Sequence, residues 1–197
     1  MPSKIRLGVL GSTRGTDLQF IINAINSGQL NSSVQIVISN RSKAMILDRA
    51  KRYGIKSIFI DHKGRSREDF DRKVSQILNE HKVDLVLLIG FMRILSDWFC
   101  KEWVGQVLNV HPSLLPRYAG GMDTNVHAEV LKSGDRETGC TIHFVTEDLD
   151  AGPILIQKKC PVKIDDTPET LKDRVQKLEG LAFLEAIQLV QTGIIKR

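Results

Sequence analysis

Residues Asp84–Gly90 read Asp-Leu-Val-Leu-Leu-Ile-Gly, an unbroken apolar run between an acid and a glycine. Side chains on a strand point alternately to its two faces, so a strand with one wet face would carry polar residues at every second position. This run has none. It fits a central strand of a parallel sheet with helices over both faces. The rest of the first half supplies the other layers. Ile5–Gly11 reads as a short apolar strand, and Asp17–Ser27 as a helix with Leu18, Ile21, Ile22 and Ile25 at helical spacing. Val34–Ser39 is the next strand, then a helix over Lys43–Tyr53 with Ile46, Leu47 and Ala50 on one face. Ser57–Asp61 is a third strand, and Ser66–His81 a helix with Phe70, Val74, Ile77 and Leu78 as its stripe. After Asp84–Gly90, a helix near Ser96–Trp103 leads to a strand at Val107–His111. Strict alternation of this kind predicts an α/β fold with a single doubly wound, mostly parallel sheet flanked by helices.

The second half changes character. Thr138–Val145 and Ile154–Val162 read as strands joined by a short acidic loop, a hairpin-like pair. Thr167-Pro-Glu-Thr170 supplies an N-cap, a proline at the first helical position and an acid in the first turn. It opens a long C-terminal helix to about Thr192. There is no internal repeat, linker or low-complexity segment, and 197 residues predict one domain over 1–197. No apolar run is long enough to span a bilayer, and Met-Pro-Ser-Lys-Ile-Arg enters the first strand without a signal-peptide core, so a cytoplasmic location is expected. Cys100, Cys140 and Cys160 are odd in number and widely spaced, which favours buried inert thiols over a metal site or a nucleophile. The net charge of +5 comes from lysines and arginines scattered over segments such as 43–52 and 65–73. That is the pattern of a solvated face, not a nucleic-acid patch, and it suits small substrates bearing phosphate and carboxylate groups.

Asn109 and His111 close the Val107–His111 strand and share one of its faces, ahead of Pro112-Ser-Leu-Leu-Pro116. Ligands bind at the carboxyl ends of strands in an open parallel sheet. An amide able to hydrogen-bond a developing oxyanion, beside an imidazole able to exchange a proton, is a minimal acyl-transfer site. Asp150, in a loop ending Asp150-Ala-Gly-Pro153, could orient the imidazole, with Glu147 and Asp148 as competitors. Spacing alone leaves open a plain capped strand end. Leu10-Gly-Ser-Thr-Arg-Gly15-Thr-Asp17 lies between the first strand and the first helix. It is neither GxGxxG nor a P-loop, and on its residues it is as compatible with an ordinary turn as with a phosphate site at a helix N-terminus.

Asn109-Val-His111-Pro-Ser-Leu-Leu-Pro116 followed by Thr141-Ile-His143-Phe-Val-Thr-Glu-Asp-Leu-Asp150-Ala-Gly-Pro153 resembles the signature of the folate-dependent formyltransferases, and the similarity runs over nearly the whole chain. Within that family, Gly90-Phe-Met-Arg-Ile-Leu95 and the short length are similar to the branch that formylates glycinamide ribonucleotide. The resemblance implies a Rossmann-like formyltransferase fold and 10-formyltetrahydrofolate as co-substrate, with no metal. It implies Asn109, His111 and Asp150 as catalytic residues, and Gly15, Thr16 and Asp17 as the turn holding the substrate's phosphate. Met92, Arg93, Ile94 and Leu95, with Asn109, would hold the folate, and Arg67, His143 and Glu179 would meet the other substrate. The N-terminal half would form the nucleotide and phosphate side, and the C-terminal half the folate and catalytic loop. A monomer or homodimer acting on small molecules is implied, with neither nucleic acid nor membrane as partner. Rivals are formyltetrahydrofolate deformylase, a sugar or aminoacyl N-formyltransferase, and a non-catalytic binding module on the same fold. The chain departs from the family twice. Asp17 stands where asparagine is common, which calls for a helix cap or for Arg14 to offset its charge. The segment Tyr118–His127 is a few residues longer than usual, and the histidine that ends it matches a family position without an assigned role.

Overall fold

The computed structural model describes residues 4–121 and 124–193. The elements run β1 (Ile5–Gly11), α1 (Thr16–Asn26), β2 (Ser32–Ser39), α2 (Met45–Arg52), β3 (Ser57–Phe59), α3 (Arg67–Glu80), β4 (Leu85–Ile89), α4 (Asp97–Glu102), β5 (Val107–His111), α5 (Thr124–Lys132), β6 (Glu137–Phe144), β7 (Ile154–Pro161) and α6 (Pro168–Gln191). They build one seven-stranded sheet in the order β3-β2-β1-β4-β5-β6-β7. The first five strands are parallel, and β6 and β7 are antiparallel to their neighbours.

All five residues of β4 are buried, and they divide between two cores by strand alternation. Leu85, Leu87 and Ile89 join the cluster containing Leu18 and Ile21 of α1, Ile46 of α2 and Phe183 of α6. Val86 and Leu88 point the other way, into a cluster with Phe70 and Val74 of α3 and Phe99 of α4. Each such side chain contributes about 1.5–3 kcal/mol by leaving water. The apolar run is therefore the seam on which both helical layers close.

Helix ends follow local chemistry. Ser66 and Ser96 accept hydrogen bonds from the N–H groups of Asp69 and Phe99, fixing the starts of α3 and α4. Thr167 and Thr170 form a reciprocal capping box ahead of α6, with Pro168 at its first turn. The third strand is shorter than its sequence suggests, because pairing with β2 ends at Phe59. In the segment Tyr118–His127, residues 122 and 123 lie outside the described residues. Among the described residues, no helix is long and apolar enough to cross a membrane. Cys100, Cys140 and Cys160 are buried free thiols.

The strand order reverses between β1 and β4: from β1 the chain moves outward to β2 and β3, then returns across to β4 and β5. The loops after β1 and β4 consequently part at their carboxyl ends. A crevice opens there, where open α/β sheets bind ligands.

Candidate active site

Asn109 of β5 pairs with His143 of β6, and His111 with Thr141. Residues directly opposite on antiparallel strands share a face, so β6 brings His143 beside Asn109. His143 Nδ1 lies 2.9 Å from the Phe144 carbonyl, which places its N–H there. The other ring nitrogen, Nε2, lies 3.2 Å from Asn109 Nδ2. The third member arrives from the β6–β7 loop. Asp150 Oδ2 is 3.2 Å from His111 Nδ1, and Asp150 Oδ1 is 3.5 Å from His143 Nε2. Gly120 donates its N–H to Asp150 Oδ2 at 2.9 Å. Both side chains of the His111–Asp150 pair are buried, at 3% and 7% exposure. Burial alone would push the Asp150 carboxyl up, but hydrogen bonds from His111, His143 and Gly120 outweigh it and hold the group well below the usual carboxylate range. Asp150 is thus a fixed anion facing two imidazoles.

The second nitrogen of His111, Nε2, sits 2.9 Å from the Tyr118 carbonyl. A cationic ring donates at both nitrogens. A neutral ring donates at one and leaves a lone pair at the other, which is what a proton shuttle needs.

A cavity of about 330 Å³ opens in front of this group. Its walls are the turn after β1 (Thr13–Asp17), the loop after β4 (Gly90–Leu95), the end of β5 and the acidic loop up to Asp150, with Lys172, Gln176 and Glu179 from α6. Two glycines shape it. Gly15 has φ 66°, and a Cβ there would run into Ile46. Gly90 has φ 57°, and its Cβ would strike Thr13. Only glycine takes both the left-handed backbone and the close approach. Ser12 ties the two loops together: its N–H donates to Gly90 O at 3.0 Å, its hydroxyl donates to Asn40 Oδ1 at 2.6 Å, and it accepts from Met92 N at 2.8 Å. Phe91–Leu95 all face the cavity, Leu95 buried and Ile94 52% exposed at its mouth. Arg93 lies flat over the Phe70 ring at 4.4 Å.

Asp17 corrects an expectation. It neither caps α1 nor pairs with Arg14. Gly15 is the N-cap residue and no side chain caps the helix. Asp17 falls in the first turn with its side chain turned inward, 4% exposed, and its Oδ1 has no hydrogen-bond partner among the described residues. Burial pushes its carboxyl up to about 7. Glu179, also buried, lines the same cavity, and both acids add to the burial that raises the Cys140 thiol.

Of the residues singled out in the sequence, Asn109, His111, His143 and Asp150 meet, and Gly15, Thr16, Asp17, Met92, Arg93, Ile94, Leu95 and Glu179 line the cavity with them. Arg67 does not. It lies at the exposed start of α3 in a separate shallow depression with Ser96 and Trp98, although its charge and that of Arg93 both reach buried Asp71. Several contributors escape sequence reading: the Tyr118 carbonyl, the Gly120 N–H and Ser12. Lys172, Gln176 and Glu179 do leave a trace, since their spacing puts them on one stripe of a helix. His127 of α5, left without a role by the sequence, is buried and lines the cavity.

Comparison with known proteins places these features in context. The family described as formyl transferase matches residues 5–187. The chain is 46% identical over 195 residues to a trifunctional purine biosynthetic protein adenosine-3 of Gallus gallus, matching 98% of this chain and 19% of that protein. It is 39% identical over 189 residues to the phosphoribosylglycinamide formyltransferase of Escherichia coli, covering 95% of this chain and 88% of that one. The chain therefore spans about a fifth of the length of its trifunctional vertebrate relative and most of the bacterial one. Among solved structures, glycinamide ribonucleotide transformylase 1 from Symbiobacterium toebii superposes with a TM-score of 0.92 at 38% identity, over 96% of this chain and 89% of that chain.

Proposed function

The chain belongs to the formyl transferase family, and from that premise we propose that it moves a formyl group from 10-formyltetrahydrofolate to the amine of glycinamide ribonucleotide in de novo purine synthesis. The observation that carries the reading is the Asn109–His111–Asp150 group at the strand-order reversal, its His111–Asp150 pair buried and the group open to a cavity with a glycine turn on one side and an apolar slot on the other.

Each wall suits one part of the two substrates. The apolar Phe91–Leu95 loop, bordered by backbone donors and acceptors, matches a flat heteroaromatic pterin. The N-terminus of α1, uncapped by any side chain, presents N–H groups and the positive end of the helix dipole to a phosphate. Between them lie the reacting atoms. The amine nitrogen attacks the formyl carbon, and the C=O electrons move to oxygen in a tetrahedral intermediate. Asn109 donates its amide N–H to that oxygen, a bond that strengthens as charge develops. The amine loses a proton, and one proton reaches the departing folate nitrogen as the C–N bond to it breaks. His111 is the group placed to carry that proton, with Asp150 fixing the ring and stabilising its cationic form. His143 holds Asn109 and Asp150 in register. Glu179 and Lys172, on the α6 wall, are positioned for the acceptor's polar groups.

The test is an absorbance assay of folate deformylation with and without glycinamide ribonucleotide. Release that requires the amine, with stoichiometric formylated product, is the expected result. Equal release with water alone would make the protein a hydrolase of the same cofactor.

A further inference from the structure

Asp17 is a carboxyl in a place that ought to repel its ligand. It sits in the first turn of α1, is almost wholly buried, lines the cavity and leaves Oδ1 without a partner among the described residues. The charged and titratable groups around it do not neutralise it by an ion pair. On its own turn, Arg14 forms no ion pair with it. From α2, Arg49 is spent on Gln19 Oε1 and the Arg14 carbonyl. From β6 comes the Cys140 thiol, which burial keeps neutral. From α6 come Glu179, a second acid, and Lys172, and from α5 His127, all on the cavity wall. β2, the other element beside α1, offers no charged side chain.

A buried carboxyl with one oxygen unpartnered, in a residue that lines a ligand cavity, is satisfied in one of two ways: by a donor on the ligand, or by becoming the donor itself. The surroundings choose between them. The helix N-terminus and the left-handed Gly15 turn favour an anion, and the dianion of a phosphate monoester, which predominates above its second pKa of about 6, brings acceptors only. We propose that Asp17 gates the acceptor's phosphate by its own protonation: the neutral carboxyl donates its O–H to a phosphate oxygen, and the carboxylate excludes the phosphate. This rests on the reading of the turn given above. Burial pushes the carboxyl up, to about 7, which sets the switch near neutrality. Above that point each substrate bound takes up a proton from solvent. No bond other than the O–H of Asp17 changes. The site thus turns a family position for a fixed donor into a pH-sensitive one, so that acceptor affinity weakens on the alkaline side.

Asp17→Asn supplies the control, because its amide donates at every pH and fills nearly the same volume. Glycinamide ribonucleotide and ribose 5-phosphate should each be titrated into both proteins by calorimetry between pH 6 and 8.5. The phosphate's own ionisation is common to both proteins, so the ratio of their affinities isolates Asp17. The ratio should stay within about threefold at pH 6 and move against the wild type by on the order of thirtyfold at pH 8.5. Wild type alone should show close to one extra proton taken up per ligand at pH 8, read from buffers of different ionisation heat, and this measurement stands even if the variant folds poorly. A flat ratio with equal proton uptake would overturn the proposal. Ribose 5-phosphate separates this failure from that of the functional reading. Amine-dependent turnover with a flat ratio leaves the enzyme and removes the gate. A pH-dependent ratio for ribose 5-phosphate without amine-dependent turnover keeps the gate and removes the assigned reaction.

Discussion

Asp150 reaches the ring of His111, Oδ2 to Nδ1 at 3.2 Å, from a backbone in the left-handed region at φ 54°. A non-glycine residue holds that conformation only where its surroundings over-determine it. Here the hydrogen bonds from Gly120 and the two histidines do so. Asn109→Ala, His111→Ala and Asp150→Ala should each lower kcat strongly with acceptor binding retained, because the stabilised charge exists only in the transition state. Loss of the Asn109 donor should cost on the order of 3–4 kcal/mol of barrier. The triple variant should lose far less than the product of the three, since all act on one movement of charge and proton. Near-normal kcat in a folded Asp150→Ala protein would shift the orienting role to Glu147 or Asp148.

Gly15 and Gly90 both line the cavity, with positive φ and no room for a methyl group. Gly15→Ala and Gly90→Ala should each destabilise the protein by roughly 1–3 kcal/mol, from left-handed strain and the collision with Ile46 or Thr13. They should separate in kinetics: Gly15→Ala raising KM for the acceptor, Gly90→Ala raising it for the folate. Thermal melts with paired KM measurements decide this, and equal effects on both substrates would deny the division of the cavity.

How much of this the chain declares in advance depends on whether a feature is local. β4 was legible because no polar residue interrupts Leu85–Ile89, and burial on both faces follows directly. Asn109 and His111 were legible as a pair because strand period fixes their common face. Their partners were legible only in part: Asp150 was one of three acids that the loop offered, and the Tyr118 carbonyl was not foreseen. Asp150 and Tyr118 take left-handed backbones that no glycine announces, and Tyr118 is held by a contact remote in sequence, its hydroxyl donating to Asp135 at 2.6 Å. Asp17 misled for a related reason. An acid in a first helical turn normally caps or faces water, but Gly15 takes the cap position here and turns the side chain inward. Glu179 reads as a solvated helix residue until α6 is packed against α1, where Gly180 leaves space that Phe20 fills.

Ser12 is buried and makes three hydrogen bonds, two through its hydroxyl and one through its backbone N–H, and both loops depend on it. Ser12→Ala removes the bridge between Asn40 and Met92 N, leaving a buried donor and acceptor to find other partners. A loss of about 1–3 kcal/mol in stability is expected. KM for the folate should rise more than KM for the acceptor, because the Gly90–Leu95 loop loses its tie to β1. Denaturant unfolding with folate titrations would show it, and a folate KM unchanged in a destabilised protein would reduce Ser12 to a structural role.

Two carboxyls should pull the stability of the protein in opposite directions with pH. Asp17 titrates at about 7 when folded, against an ordinary value of 3.8. Between those values the native state holds a proton that the unfolded chain has lost, so the contribution of Asp17 is full below about pH 4 and declines as pH rises to about 7. Relative to Asp17→Asn, the wild type should lose stability steadily as pH rises across that window. Asp150 has the reverse sign. Its folded carboxyl lies below the ordinary range, held by hydrogen bonds that exceed the cost of burial. Its contribution is therefore present above about pH 4 and disappears as pH falls further. Relative to Asp150→Asn, the wild type should gain as pH rises toward about 4 and hold level above it. Urea unfolding of the three proteins at about pH 2.5, 3.3, 4, 5.5, 7 and 8 gives both curves. Parallel curves for wild type and Asp17→Asn would mean that Asp17 is an ordinary ionised acid in the folded protein, and the gate at the phosphate turn would fall with it.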